Sequence, residues 1–360
     1  MAWKIANNIN TSTMKRLSSL ILFICMMVGI TSCKDGAPVF VNSTGAPYDL
    51  VLVMDQAQWK SPIGDEVFNV FNADVPGLPQ SEPLFKINYT PPKHFDRIMK
   101  LVRNIVLVEI NPERYSQGKV SFSRDLWAKN QLIVKIQAPD DAAMKALLDE
   151  KKQYIVDLFV NNELKRVEAI LKDGYSKAAY DTVMDVFGVE FRVPQELNKM
   201  KRGENFIWFS NDAGSGRRDL LIYSFPFTDP KTFTQEYLIA KRDSVVKVNI
   251  PGGPEGSYMV TETLIPPVMK DLNFRGDYAA ELRGLWKMHN DVMGGPFVCI
   301  ARLDKSTNQV IVVEGFVYAP EKKKRNFVRQ LEGALHTLKF KSDKETVEAQ
   351  PVPISDEVEN

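Results

Sequence analysis

Residues 131–172 read QLIVKIQAPDDAAMKALLDEKKQYIVDLFVNNELKRVEAILK. Gln131 to Gln137 is a short run rich in Leu, Ile and Val, as strands are. Asp140, just after Pro139, can accept the free N–H groups of a first helical turn. Met144, Leu147, Leu148, Tyr154, Ile155, Leu158, Phe159, Val167 and Ile170 then recur at helical spacing and supply an apolar face. The stretch therefore predicts one strand feeding one long helix, Asp140 to about Lys172.

The same alternation extends both ways. Short apolar runs at Tyr48 to Met54, Leu84 to Tyr89, Asn104 to Ile110, Asn205 to Ser210, Asp219 to Phe225, Tyr258 to Leu264, Pro296 to Arg302 and Gln309 to Tyr318 predict strands. His94 to Val102, Thr228 to Val245 and Glu321 to Leu338 predict further helices. Strand runs interrupted by packing helices define an α+β fold. A faint echo suggests two related α+β units. Pro79-Gln80 recurs as Pro194-Gln195, and Arg103-Asn104-Ile105-Val106 as Arg218-Asp219-Leu220-Leu221, both at an offset of 115 residues. Val70-Phe71 has a counterpart in Val186-Phe187, 116 residues on, and Asn130 to Val134 in Asn308 to Val312, 178 residues on. The expected organisation is a first unit over 46–175 and a second over 176–341, with an insertion at about 225–296 and an acidic disordered tail over 342–360. That tail holds six acids against one Lys and no aromatic residue.

At 44% hydrophobic and 25% charged, the 360-residue chain has ordinary globular composition, and its length suits about two domains. A net charge of +1 leaves no electrostatic footprint for nucleic acid. Three His and three Cys make most metal and redox centres improbable; no cofactor and no metal site are expected.

The N-terminus carries an address. Met14-Lys15-Arg16 precedes the 14-residue apolar run Leu17 to Ile30, short of the roughly 20 residues that span a bilayer but suited to a signal peptide. Met14 is the better start, and the leader runs over 1–32. Ile30-Thr31-Ser32-Cys33 resembles the bacterial lipobox, which implies cleavage before Cys33 and acylation of that Cys by palmitate-type chains. Two or three such chains anchor a protein stably, at about 0.8 kcal/mol per buried CH₂. Residues 33–45 then form the lipidated Cys and a turn-rich tether. Loss of Lys4, Lys15 and Arg16 with the leader takes the charge from +1 to −2. Cys25 leaves too, so Cys299 is the lone mature thiol, inside the apolar run Phe297 to Ile300. A buried, inert thiol is expected there. The expected location is the outer membrane, on its periplasmic face or at the cell surface, with membrane attachment through Cys33.

Phe274 to Phe297, FRGDYAAELRGLWKMHNDVMGGPF, is the densest unusual stretch. Arg275, Glu281, Arg283, Trp286, His289 and Asp291 are the candidate binding residues, because Arg–carboxylate pairs beside Trp make recognition surfaces. A plainer reading is a half-buried hairpin or short helix whose charges pair at the surface. His289 with Glu281 and Asp291 could instead serve as general base and partners. His94, His289 and His336 lack the spacing of a helical zinc pair. Gly214 to Arg218 resembles a phosphate loop only loosely, and Ile250 to Gly256 reads as a rigid turn cluster at the lip of a cleft. Lys322 to Arg325 begins a helix, where positive charge opposes the dipole.

The leader, Gly45 to Val53 (GAPYDLVLV), and the LRGLW…MGGPF segments at 282–286 and 293–297 together resemble an uncharacterised lipoprotein family of Bacteroidota. Lys34-Asp35 after the lipobox partly resembles a surface-export signal of that group. Asp181-Thr182-Val183 and Asp243-Ser244-Val245 resemble its O-glycosylation sites. The resemblance implies an address and no chemistry. Two readings follow: a non-enzymatic envelope lipoprotein, structural or binding an envelope protein or glycan, and an envelope-anchored hydrolase of a polymer.

Overall fold

Asp49–Val53 forms β1, the second strand from the edge of a five-stranded sheet that the first half of the chain builds. The computed structural model describes residues 41–343, and from Asn42 onward they form one compact unit. After β1 come a short α1 (Gln56–Trp59), α2 (Pro62–Asn72), β2 (Lys86–Thr90), β3 (Asn104–Ile110), β4 (Lys119–Arg124), β5 (Leu132–Ala138) and the 30-residue α3 (Asp141–Ile170). The order is β2-β1-β3-β5-β4, parallel except for β4. Asp140 caps α3 as expected, accepting from Ala143 N at 2.8 Å. α2 and α3 cover one sheet face, where Leu50, Leu52, Val106, Val134, Phe71 and Phe159 are fully buried.

The helix expected over His94 to Val102 is absent. Only 3-10 turns form, at Pro92–His94 and Met99–Leu101. Asp96 Oδ1 takes the N–H groups of both Ile98 and Met99 at 2.9 Å, a local bond that competes with helix. The segment instead lays Phe95 and Val102 against Val51, Val53, Ile105 and Ile133 on the sheet's other face.

The second half begins with α4 (Lys177–Phe187), then β6 (Lys199–Gly203), β7 (Phe206–Ser210), β8 (Arg217–Pro226), α5 (Gln235–Asn249), β9 (Tyr258–Thr261), β10 (Val268–Phe274), β11 (Asp277–His289), β12 (Gly294–Asp304), β13 (Gln309–Tyr318) and α6 (Arg325–Leu335). Its eight strands run β10-β11-β12-β13-β8-β7-β6, with β9 also on β11, and every pairing is antiparallel. α4 and α6 cover one face over Val298, Ile300 and Val313. α5 covers the other over Phe297, Cys299 and Val312. Burial on both faces explains why β12 and β13 read as continuous apolar runs. The whole is α+β.

Three sequence expectations need correction. The echo marks no structural repeat: its first copies fall on β3 and β5, which are parallel neighbours, and its second copies on β8 and β13, which are antiparallel ones. Residues 225–296 are no appendage, since they supply β9, β10, β11 and the start of β12. Nor does the acidic tail begin free at Ser342. The Asp343 carboxylate pairs with Arg302 at 2.7 and 2.9 Å, both side chains buried. Residues 344–360 lie outside the described residues, as do the leader and Cys33. The last tether residues join the fold, Asn42 bridging to Lys129 and Thr44 to Val102.

The basic start of α6 has a local explanation. Glu82 lies across it, its carboxylate accepting from Lys324 N at 2.6 Å and Arg325 N at 3.0 Å. It supplies from the first half the anion that a helix N-terminus requires. α6 also meets α3 closely: a Cβ on Gly333 would stand 2.4 Å from Val167 Cβ.

Candidate functional site

α6 is amphipathic, yet its buried side carries Arg329 and Glu332 beside Val328 and Leu331. Directly across lies β11, where Glu281 and Arg283 share the sheet face that α6 covers. Arg283 donates to Glu281 at 2.6 and 3.1 Å and also to Glu332; Arg329 donates to Glu332 at 2.7 Å. The four charges balance, as buried ions must. Burial alone would raise the Glu332 carboxyl, but Arg283 and Arg329 outweigh it and hold it at about 2. Burial opposes the charged form of Arg283 as well, and Glu332 and Glu281 overcome it, raising its pKa. Two donors of this cluster have no partner among the described residues, Arg283 Nη1 and Arg329 Nε.

The cluster floors a cleft of about 730 Å³. One wall is α2 and α3 with the chain after α2, presenting Val70, Pro76, Leu84, Val156, Val160 and Leu164; the other is β10, presenting Val268, Lys270 and Leu272. Asn69, Asp74, Lys152, Gln153, Asp157 and Asn161 add polar groups. Lys270 reaches across to Asp157 at 3.8 Å. His336 lies at the α6 end of the cleft, and burial pulls its pKa down, so that the ring is neutral at ordinary pH. Apolar walls, a charge-balanced floor and unpaired donors suit a ligand that is part polar and part apolar.

Phe274 to Phe297 proves to be the end of β10, all of β11 and the start of β12, and its candidate residues do not form one surface. Glu281 and Arg283 face the cleft. Trp286 points through the opposite face into the α5 core, 2% exposed, its Nε1 donating to Val317 O at 3.3 Å. Arg275 holds the β10–β11 turn at a φ of 55° and donates to His336 O at 2.7 Å and Leu338 O at 3.1 Å, tying down the end of α6. His289 is exposed and stacks on Tyr258 at 4.8 Å. Asp291 caps its own loop, accepting from Val292 N. Glu281 and His289, eight residues apart on one strand, are separated by roughly 26 Å. The proposed His289–Glu281–Asp291 acid–base set therefore does not converge.

Trp286 does line a smaller cavity of about 270 Å³ with Trp208, Phe316, Tyr318, Met259, Met288 and Met293. Ile250, Pro251, Gly252 and Gly253 of the turn cluster also line it. Gly214 to Arg218 leads through the β7–β8 hairpin turn. There Arg217 pairs with Asp219 and lies 5.2 Å from the Trp208 ring. Cys299 is buried, and burial raises its pKa. Among the described residues no group of three or more His, Cys, Asp or Glu is placed to hold a metal ion, and no helix is long and apolar enough to cross a membrane.

Arg329, Glu332 and the α3 wall escaped sequence reasoning. Glu332 carries a readable signal, since it falls four residues after Val328 on the apolar side of its helix.

An α+β chain with a cleft between its two sheet-bearing halves is the class that fold and site define. Residues 43–172 match a family model described as a domain of unknown function (DUF8532), and residues 176–337 match another described as a domain of unknown function (DUF4837). No curated protein matches the chain.

Proposed function

We propose that this chain is a lipid-anchored envelope protein of Bacteroidota type, held in the outer membrane through Cys33, that binds a glycan or an envelope polypeptide in the cleft without transforming it. The cleft floor carries the reading. Its ionisable groups are locked in mutual pairs that hold them charged and fixed, which suits recognition and leaves Arg283 Nη1 and Arg329 Nε to be satisfied by a ligand acceptor. Apolar walls beside these donors match the mixed surface of a sugar ring or an extended peptide. The lipobox resemblance at Ile30 to Cys33 supports the anchor.

Two measurements test this. Radiolabelled palmitate is expected to enter the wild-type chain and to be absent from Cys33→Ser. Envelope glycan fragments and envelope polypeptides, offered separately to the purified protein, should yield one saturable binder. Its affinity should fall about tenfold when Gln153 and Asn161 are both changed to Ala, the loss of roughly one to two hydrogen bonds. Absence of any saturable binder, or chemical turnover of one, would overturn the reading.

A further inference from the structure

A second polar cluster lies away from the cleft, at the N-terminal ends of the parallel strands. Register places Asn104 of β3, Leu132 of β5 and Arg124 of β4 in one row across the sheet. α3 lays Asn162, Glu163 and Arg166 over that row. Glu163 accepts from Asn104 Nδ2 at 2.7 Å, from Arg103 Nη1 at 3.2 Å and from Arg166, while Asn162 Oδ1 accepts from Arg124 Nη1. Two guanidiniums thus bond one buried carboxylate, and a third bonds the neighbouring Asn162.

Arg166 is well satisfied, since it also donates to Asn130 O and Arg103 O at 2.9 Å and to Asn104 Oδ1 at 3.2 Å. Burial, opposed by Glu163 and reinforced by the charges of Arg103 and Arg124, pulls its pKa down to about 10. Arg103 Nε, Arg124 Nε and Asn162 Nδ2 are different: each is a buried donor without an acceptor among the described residues. Asn162 is only 7% exposed. Native folds leave few such groups, and several in one cluster point to a bound ion or water. Among the described residues the uncommitted groups of this cluster are all donors, and three arginines stand against the one carboxylate of Glu163. A water would meet the donors and leave the charge; an oxyanion answers both.

We infer that this corner binds a phosphate-type oxyanion, held by Arg103, Arg124 and Asn162. Guanidiniums present N–H pairs that match phosphate oxygens, and the Asn162 amide adds a further donor. Such an anion comes either as free phosphate or as a lipid headgroup. The headgroup is relevant because the chain joins the fold beside this cluster. Arg103 N donates to Thr44 O at 3.0 Å and Ser43 Oγ to Asn130 O at 3.2 Å, and Cys33 stands nine residues before Asn42 in sequence. The site does not depend on the cleft having a ligand.

The test uses the full chain with Cys33→Ser, so that no acyl chain contributes. Inorganic phosphate is titrated by ³¹P NMR and by thermal unfolding, for wild type and for Arg124→Gln and Arg103→Gln. A saturable ³¹P shift and a phosphate-dependent rise in unfolding temperature are expected for wild type, with affinity about tenfold weaker in each variant, as loss of one charge-assisted bond implies. In phosphate-free buffer Arg124→Gln should cost little stability, because it removes an under-paired cation, whereas a merely structural arginine would cost more. Flotation with phosphatidylglycerol vesicles, and not with phosphate-free digalactosyl diacylglycerol vesicles, would identify the headgroup as the source. Phosphate binding without flotation would identify the free anion. A wild-type chain that gives no ³¹P shift and no stabilisation overturns the inference whether or not the variants fold, and so does a folded Arg124→Gln that titrates like wild type.

Discussion

Glu332→Gln is the sharpest perturbation of the cleft floor. In the folded chain Arg283 and Arg329 hold this carboxyl at about 2, against an ordinary value of 4.5. The gap corresponds to about 3 kcal/mol of stability, in the range for breaking a buried ion pair. Because the folded value lies below the unfolded one, that contribution is complete above about pH 4.5 and is lost as pH falls toward about 2. Urea unfolding of wild type and Glu332→Gln from about pH 7 down to about pH 3 reads it directly. The variant is expected to be less stable by about 3 kcal/mol at neutral pH, and the difference should shrink steadily below about pH 4.5. A difference under about 1 kcal/mol at neutral pH, or one that stays constant with pH, would refute the claim that Glu332 is the anion binding these two arginines.

Other outcomes follow from packing. Gly333→Ala would place a methyl 2.4 Å from Val167 Cβ. It should lower stability by about 1–3 kcal/mol in chemical denaturation, although Ala is ordinarily the better helix former. Arg242 is fully buried, pairs with Glu314 at 2.7 and 2.9 Å and sits 4.0 Å from the Phe297 ring. Arg242→Ala should cost about 3–5 kcal/mol, and the double change Arg242→Met with Glu314→Leu should recover most of it, as double-mutant unfolding would show. Cys299, buried with a raised pKa, should resist an aromatic disulfide reagent in the native state and react fully in denaturant.

Much of the fold was legible because its signals are local. Asp140 with nine apolar residues at helical spacing announced α3, and the apolar runs at 104–110 and 309–318 announced β3 and β13. β10 and β11 escaped because their periodicity is masked: β10 alternates weakly at a sheet edge, and β11 mixes buried charges with glycine. α2 was missed as well, its apolar face being only four residues, Ile63, Gly64, Val67 and Phe71. The site was half legible. Sequence density singled out Glu281 and Arg283, but the same density drew in Trp286, which the two-residue period of a strand sends to the opposite face. The partners Arg329 and Glu332 lie 48 residues beyond Glu281 and 49 beyond Arg283, and only the fold brings them there.

The carboxylate of Glu82 has a consequence for how this chain is made and inherited. It closes the start of a helix whose first residue comes 243 positions later. On the ribosome the cap is therefore synthesised long before the helix it serves, and α6 can settle as soon as it emerges. A recombination event that carried off residues 176–337 alone would deliver a helix with two bare N–H groups and a basic first turn. The 43–172 portion would keep an anion with nothing to neutralise it. The two portions are thus expected to stay fused in one reading frame, each completing a piece of backbone chemistry that the other lacks.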